Sequence, residues 1–188
     1  MSTKPYYRPA KRIVITGGPG AGKTALIELA RRSLCPHVEV LPEASQVVFG
    51  GGFPRRNESA AIRAAERAIF HVQAELESVA LSNDELAAVI CDRGTLDALA
   101  YWPGHREDFF AELKTSEYEE VRRYEAVLHL RVPESAPRAA REIDSRLVEI
   151  WTSHPKRVFI DPTEDVLTKI GEALEVLRNA IDCPVCAA

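Results

Sequence analysis

Two short stretches carry residue types able to do chemistry. The first is Gly17-Gly18-Pro19-Gly20-Ala21-Gly22-Lys23-Thr24. This spacing suits a loop that turns its backbone N–H groups inward around phosphate oxygens, glycines supplying the dihedrals and the close approach. An apolar run at residues 11–16 precedes it, as a buried strand would, and a helical pattern over 22–34 follows. The positive end of that helix points at the same anion. Lys23 is placed to bridge the β- and γ-phosphates of a nucleoside triphosphate, and Thr24 to set its hydroxyl on Mg²⁺. Ala25, one residue further, completes the expected cradle.

The second stretch is Asp92-Arg93-Gly94. Asp92 ends an apolar strand pattern at 86–92, at the carboxyl edge where ligands bind in open α/β sheets. A carboxylate there can hold the nucleotide's Mg²⁺ opposite the loop, directly or through water. Machines that hydrolyse ATP often carry a second acid at the next position. Arg93 stands there instead, and a cation stabilises the spread charge of a transferring phosphoryl group or holds a donor or acceptor phosphate. Gly94 reads as letting the turn pass close to a ligand.

The chain that positions these residues has 188 residues, 46% hydrophobic and 28% charged, with a net charge of −4. That is enough for one domain with a core. The charge argues against nucleic acid as the main partner, which needs a strongly basic surface. No apolar run approaches the roughly 20 residues that span a bilayer. Residues 1–11 read as a short, flexible basic arm without an apolar signal core, so a cytosolic protein is expected. Cys91 reads as a core residue, and Cys35 before Pro36 carries no functional signal. Cys183 and Cys186 form a CxxC that follows a helix and has no second pair at zinc spacing, so 183–188 reads as a tail.

Further strands are expected at 37–44, 125–132 and 156–160, and a loop at 49–58. The clearest helix covers 59–81, with Ile62, Ala65, Ile69, Val72, Leu76 and Val79 on one face. Helical pieces follow at 96–102 and 107–123, broken at Pro103-Gly104. A charged helix covers 137–151. The last helix is expected to be capped by Asp161, with Pro162 in its first turn and Val166, Ile170, Ala173, Leu174 and Leu177 buried. Strands alternating with helices predict an α/β fold of three layers, a five-stranded, mostly parallel sheet with helices on both faces. One domain is expected over 12–182.

The triplet at Asp92 is similar to the acid-Arg motif of nucleoside and nucleotide kinases. With ITGGPGAGKTALIE, LPEA, the Phe70–Gln73 helix and CDRGTLDALAYW, the chain resembles the P-loop NTPases of that kinase-like group. Within it the likeness is to the small ATP-binding domains, often labelled AAA, related to ribosylnicotinamide kinase modules. The resemblance covers most of residues 12–175. It implies that Glu43, ending the second strand, removes the acceptor's hydroxyl proton, with Asp92 as the other candidate base. It also implies that Gln73 pairs with a nucleobase or similar amide, against the alternative of a solvated helical glutamine.

Such kinases exclude water by closing a flexible segment. Residues 133–150 are the candidate lid. Arg138 and Arg141 share a helical face and could grip ATP phosphates, and Arg146 lies a turn on. The same spacing also gives Arg138–Glu142 and Glu142–Arg146 ordinary i,i+4 pairs. The Asp-Gly-Arg-like turn common in related lids is absent. Arg55 and Arg56, in the loop GGGFPRR, could meet an anionic acceptor. His71, His105 and His129 lack metal spacing and read as structural or solvated.

The expected function is ATP:Mg²⁺-dependent phosphoryl transfer to a small hydroxylated molecule, nucleoside-like compounds included. The alternative is a nucleotide-binding switch or slow NTPase that signals to a protein or lipid partner. A mechanical ATPase ranks third, for want of a second acid and of an extra helical domain.

Overall fold

The structure is a computed structural model that describes residues 9–163, 165–181 and 183. Five parallel strands form one sheet in the order β2-β3-β1-β4-β5. They are β1 (Lys11–Thr16), β2 (Val38–Val40), β3 (Ala88–Asp92), β4 (Ala126–Leu130) and β5 (Arg157–Ile160). The central strands β1, β3 and β4 are short apolar runs, as burial on both faces requires. Because all run the same way, the ends of β1, β2 and β3 converge on one edge. There Ile15 is in register with Asp92, and Leu41 continues the pairing by donating to Ile90 O.

Helices cover both faces. On one lie α1 (Lys23–Ser33) and α7 (Val166–Ile181), packed through Leu26, Ala30, Ala173 and Leu177 against Ile13, Ile15 and Leu128. On the other lie α3 (Ser59–Leu81), a 3₁₀ segment (Thr95–Tyr101), α4 (Arg106–Leu113), α5 (Glu117–Val121) and α6 (Arg138–Ile150). Their core is aromatic. Phe109 makes edge contacts with Phe70 and Trp102, and Trp151 with Tyr124. No helix among the described residues is long and apolar enough to cross a membrane.

Several local expectations are corrected. The strand at 37–44 ends at Val40, and α2 (Ala44–Gly50) replaces the start of the expected loop. Glu43 gathers Ser45 and Gln46 onto its carboxylate there, and Val48 is buried beneath. The helix expected at 107–123 is two, because Lys114 turns into a left-handed conformation (φ 55°) and Ser116 caps a new start. The cap of α7 is Asp165, which accepts from Leu167 N and Thr168 N, not Asp161. Val166 consequently lies outside the buried stripe.

On α3 the buried face is Ala65, Glu66, Phe70, Gln73, Glu77 and Ala80. The helix is rotated by about one residue from the apolar stripe, and Val79 is exposed. Three polar side chains thus face inward. Of the cysteines, Cys91 is fully buried, Cys183 packs in the core with its sulfur 3.8 Å from that of Cys35, and Cys186 lies outside the described residues.

At Gly94 the core makes a demand of its own. A Cβ there would stand 2.8 Å from the Trp151 ring and 2.9 Å from Val14, so glycine is required by core packing. Gly94→Ala is expected to lower unfolding stability by about 1–3 kcal/mol. A denaturant midpoint identical to wild type would refute this account of the position.

Candidate active site

The loop after β1 turns sharply out of the sheet at Gly17, where φ is 137° and a Cβ would lie 2.1 Å from Leu130 O. No other residue fits there. Lys23, the first residue of α1, is buried and folds back over the loop, donating to Gly17 O at 2.7 Å and Gly18 O at 3.0 Å. Thr24 and Ala25 are exposed on the first turn, while Pro19 and Gly20 form the outer rim.

Two side chains that the sequence reading missed brace this loop. Gly18 N donates to Asp144 Oδ1 at 2.8 Å, and the same oxygen lies 3.0 Å from His129 Nε2. Because the carboxylate only accepts, that ring nitrogen carries the proton. Burial raises the Asp144 carboxyl, but His129 and the Gly18 amide outweigh it and the net shift is downward. From α7, Lys169 donates to Ala21 O at 2.9 Å and to Arg131 O at 2.7 Å. The signal for Asp144 was present in its spacing with the buried Ala140, Leu147 and Ile150. Lys169 offered no such signal.

Opposite the loop stands a cluster of charges. Arg93 adopts φ 76°, a left-handed conformation that costs a non-glycine residue about 1–3 kcal/mol. This turn aims its guanidinium back across the sheet edge. Its Nε donates to Glu43 Oε1 at 2.8 Å, and its Nη1 lies 3.6 Å from Asp97 Oδ2. Burial disfavours the Arg93 charge, but Asp97, Tyr101 and Glu43 overcome this and hold it protonated. Nη1 is buried without a hydrogen-bond partner, an unused donor.

Asp97 was not a sequence candidate. It is buried and accepts from Thr16 Oγ1 at 2.7 Å and Trp151 Nε1 at 2.7 Å, tying the 3₁₀ segment to β1 and the end of α6.

Glu43 holds three donors, Arg93 Nε, Ser45 Oγ and Gln46 Nε2. Burial raises its carboxyl, but the Arg93 charge and these bonds prevail and shift it down. Asp92 goes the other way. Burial and the nearby Glu43 push it up to about 6, and its Oδ1 is buried without a partner. Burial and Arg93 lower Lys23 to about 8, against the pull of Asp92, Asp97 and Glu43. Among the described residues no three His, Cys, Asp or Glu are grouped as a metal site. A divalent ion at Asp92 would therefore need further oxygens, from the Thr24 hydroxyl, a nucleotide and water.

Beside Arg93 opens a cavity of about 320 Å³, walled by Phe49, Ile69, Phe70, Ala98 and Tyr101 and carrying Glu43, Glu66, Gln73 and Arg55 as polar groups. The structure thus brings Lys23, Glu43, Asp92, Arg93 and Gln73 to one edge. Gln73 is buried, not solvated. Arg55 lies on the Phe49 ring, 3.9 Å from its centroid, while Arg56 is exposed. Arg138 and Arg141 are on the exposed face of α6, and Arg138 is paired with Glu142 at 2.6 Å. Arg146 donates to Ala100 O. His129 is structural, and His71 is exposed.

Residues 12–169 match the family described as AAA domain. The chain belongs to that family. A search by sequence among curated proteins found no match. Among solved structures, this AAA domain is similar to thymidylate kinase from Ehrlichia chaffeensis, with 16% identity and a TM-score of 0.61, covering 90% of this chain and 100% of that one. It is similar to deoxyadenosine kinase from M. mycoides with bound dATP, with 15% identity and a TM-score of 0.58, covering 89% and 98%. The NadR protein in complex with NR aligns with a TM-score of 0.69 and 16% identity, over 93% of this chain and 52% of that one. This chain spans about half the length of NadR. These likenesses establish a nucleotide-kinase-like P-loop fold for the AAA domain.

Glu66 was missed by the sequence reading. It is 7% exposed in the cavity wall, and burial pushes its carboxyl up to about 7 while Arg93 pulls it down. An acid raised in the folded state stabilises below its unfolded pKa, about 4.3, and that stability is lost as pH rises to about 7. Glu66→Gln is therefore expected to stabilise the AAA domain by on the order of 1–3 kcal/mol at pH 8 and by far less at pH 5. Unfolding curves at the two pH values decide it, and an equal effect at both would refute the burial penalty.

Proposed function

We propose that this chain is an ATP- and Mg²⁺-dependent phosphotransferase acting on a small hydroxylated molecule, with nucleoside-like compounds the leading acceptor class. The observation that carries the reading is Arg93, a buried guanidinium with one unused N–H that feels the charge of Lys23 and also lines a separate cavity. A hydrolase needs only a water beside the γ-phosphate. A cavity walled by aromatic and aliphatic side chains and joined to the phosphate loop through a cation suits a second organic substrate. The nucleoside class is supported by the fold's relatives, which include a thymidylate kinase and a deoxyadenosine kinase with bound dATP.

In this reading the N–H groups of residues 17–24 hold the triphosphate. Lys23 leaves the Gly17 and Gly18 carbonyls for the β- and γ-phosphates. The acceptor oxygen attacks the γ-phosphorus in line, its new O–P bond forming as the bond to the β,γ-bridging oxygen breaks. Arg93 Nη1 meets the charge on the transferred group. The unpartnered Asp92 oxygen fits a cation, and with Thr24 it would hold the Mg²⁺, which when bound supplies charge stabilisation at the phosphates. The acceptor's proton goes to Glu43 or Asp92. Glu43 must give up a bond from Arg93, Ser45 or Gln46 to take it.

Arg138 closes over the phosphates by movement of residues 133–139, and Arg141 reaches them from the exposed face of α6 by turning its side chain. The rest of the candidate lid is anchored through Asp144, Leu147 and Ile150. The domain extends over 12–182.

The test follows ADP release from ATP and Mg²⁺ across a panel of nucleosides, sugars and vitamins. Acceptor-dependent release is expected. Slow release indifferent to every acceptor would favour the NTPase switch instead. Glu43→Gln is expected to cut transfer by roughly 100-fold or more while sparing ATP binding, and unchanged transfer would remove Glu43 as the base.

A further inference from the structure

Behind the cavity, α3 carries a carboxylate that touches no part of the phosphate site. Glu77 is fully buried. Its Oε2 accepts from Arg12 Nη1 at 3.3 Å and Arg123 Nη2 at 2.9 Å. Its Oε1 accepts from Tyr124 OH at 2.7 Å and from Gln73 Nε2 at 3.0 Å. Tyr124 is held in turn by Thr95 N at 2.9 Å.

A carboxylate fixed by two guanidiniums can only accept. It therefore leaves the Gln73 amide no choice of orientation. The NH₂ must face Glu77, because the reverse would set two acceptor oxygens against each other. The carbonyl oxygen of Gln73 is left at the other end of the amide, in a residue that lines the cavity. It is buried and has no hydrogen-bond partner. A buried amide oxygen without a partner is unfavourable relative to one that is satisfied, so a ligand that supplies a donor there gives it the bond it lacks.

We propose that Glu77 is a specificity-determining positioning residue, which locks Gln73 so that the cavity selects ligands presenting an N–H donor, such as a primary amide or an amino group on an aromatic ring, over ligands presenting only an acceptor. This rests on the reading of the cavity as the acceptor site, but donor selection is a property of binding and stands or falls without phosphoryl transfer. Glu66, on the same wall four residues before Phe70 on α3, adds to this preference when ionised and accepting.

Benzamide and methyl benzoate test the inference. Both are flat and small enough for the cavity, and both keep a carbonyl acceptor, but only benzamide has N–H donors. In NMR titrations of the full chain, benzamide is expected to bind roughly tenfold more tightly, as one buried hydrogen bond implies. In Glu77→Gln the Gln73 amide can turn over, and the preference is expected to fall to about twofold or less. Gln73→Met is expected to abolish it while leaving methyl benzoate binding within about twofold.

Equal binding of the two probes by wild type, or binding of neither, overturns the inference. So does a folded Glu77→Gln protein that keeps the full preference. Should Glu77→Gln fail to fold, the NH₂ protons of Gln73, assigned by their loss in Gln73→Met, are expected to exchange at least about 100-fold more slowly than those of the exposed Gln46. Rapid exchange would show that no such lock exists. A kinase with no donor preference would sink this inference alone, and donor preference without any transfer would sink only the kinase reading.

Discussion

A buried guanidinium must have carboxylates, and the position of Arg93 follows from where they stand. Removing one partner of such a group is strongly destabilising, because the remaining charge is left in low dielectric. Arg93 therefore fixes three elements relative to one another. Glu43 brings the start of α2, Asp97 brings the 3₁₀ segment, and the backbone N–H of Arg93 donates to Ile15 O of β1. The left-handed backbone at Arg93 is tolerated because these contacts over-determine it. The same cation disfavours the protonated form of Lys23 and favours the ionised form of Glu43. One side chain thus sets both the shape and the electrostatics of the sheet edge.

The phosphate loop shows how a local motif depends on distant residues. Its glycines permit the turn but do not hold it. The holding is done by Asp144 from α6 and Lys169 from α7, which grip the amide of Gly18 and the carbonyl of Ala21. The loop is thus clamped between the two helical layers. This gives α6 two faces with different duties. Its buried face, with Ala140 and Asp144 against Gly18, is part of the loop's foundation. Its exposed face carries Arg138 and Arg141. A hinge that moved the whole helix would unclamp the loop, so any movement over the phosphates would be confined to side chains and to the part before Ala140.

The sequence made legible what is encoded by near neighbours. The phosphate loop, the five strands and the placing of Asp92 and Arg93 at a strand end all depend on residues within a few positions. Glu43 and Gln73 were legible only through family resemblance, and the structure places both at the cavity. Asp97 and Lys169 were not legible, since each matters through a partner 81 or 148 residues away, and Asp144 was legible only as a residue of the buried face of α6, not through its partner 126 residues away. The cap of α7 and the break at Lys114 were missed because capping depends on which carboxylate or turn the chain can reach, and several were on offer. Gly94 was legible only in part: it lines the cavity, as a glycine beside such a motif suggests, but the constraint from the Trp151 ring comes from a residue far along the chain.

The rotation of α3 is the most instructive departure. Hydrophobic periodicity assumes that the most apolar face is the buried one. Here the buried face holds Glu66, Gln73 and Glu77, which an apolar count penalises. Such a face is stable only if its polar groups find partners, and they do so unequally. Glu77 is saturated by Arg12, Arg123, Tyr124 and Gln73, whereas Gln73 keeps one oxygen without a partner. Along a single helix, the polar residue farthest from the cavity is complete and the one at its wall is not. A structural network would have no reason to stop one bond short, and the place where it stops is where a ligand would complete it.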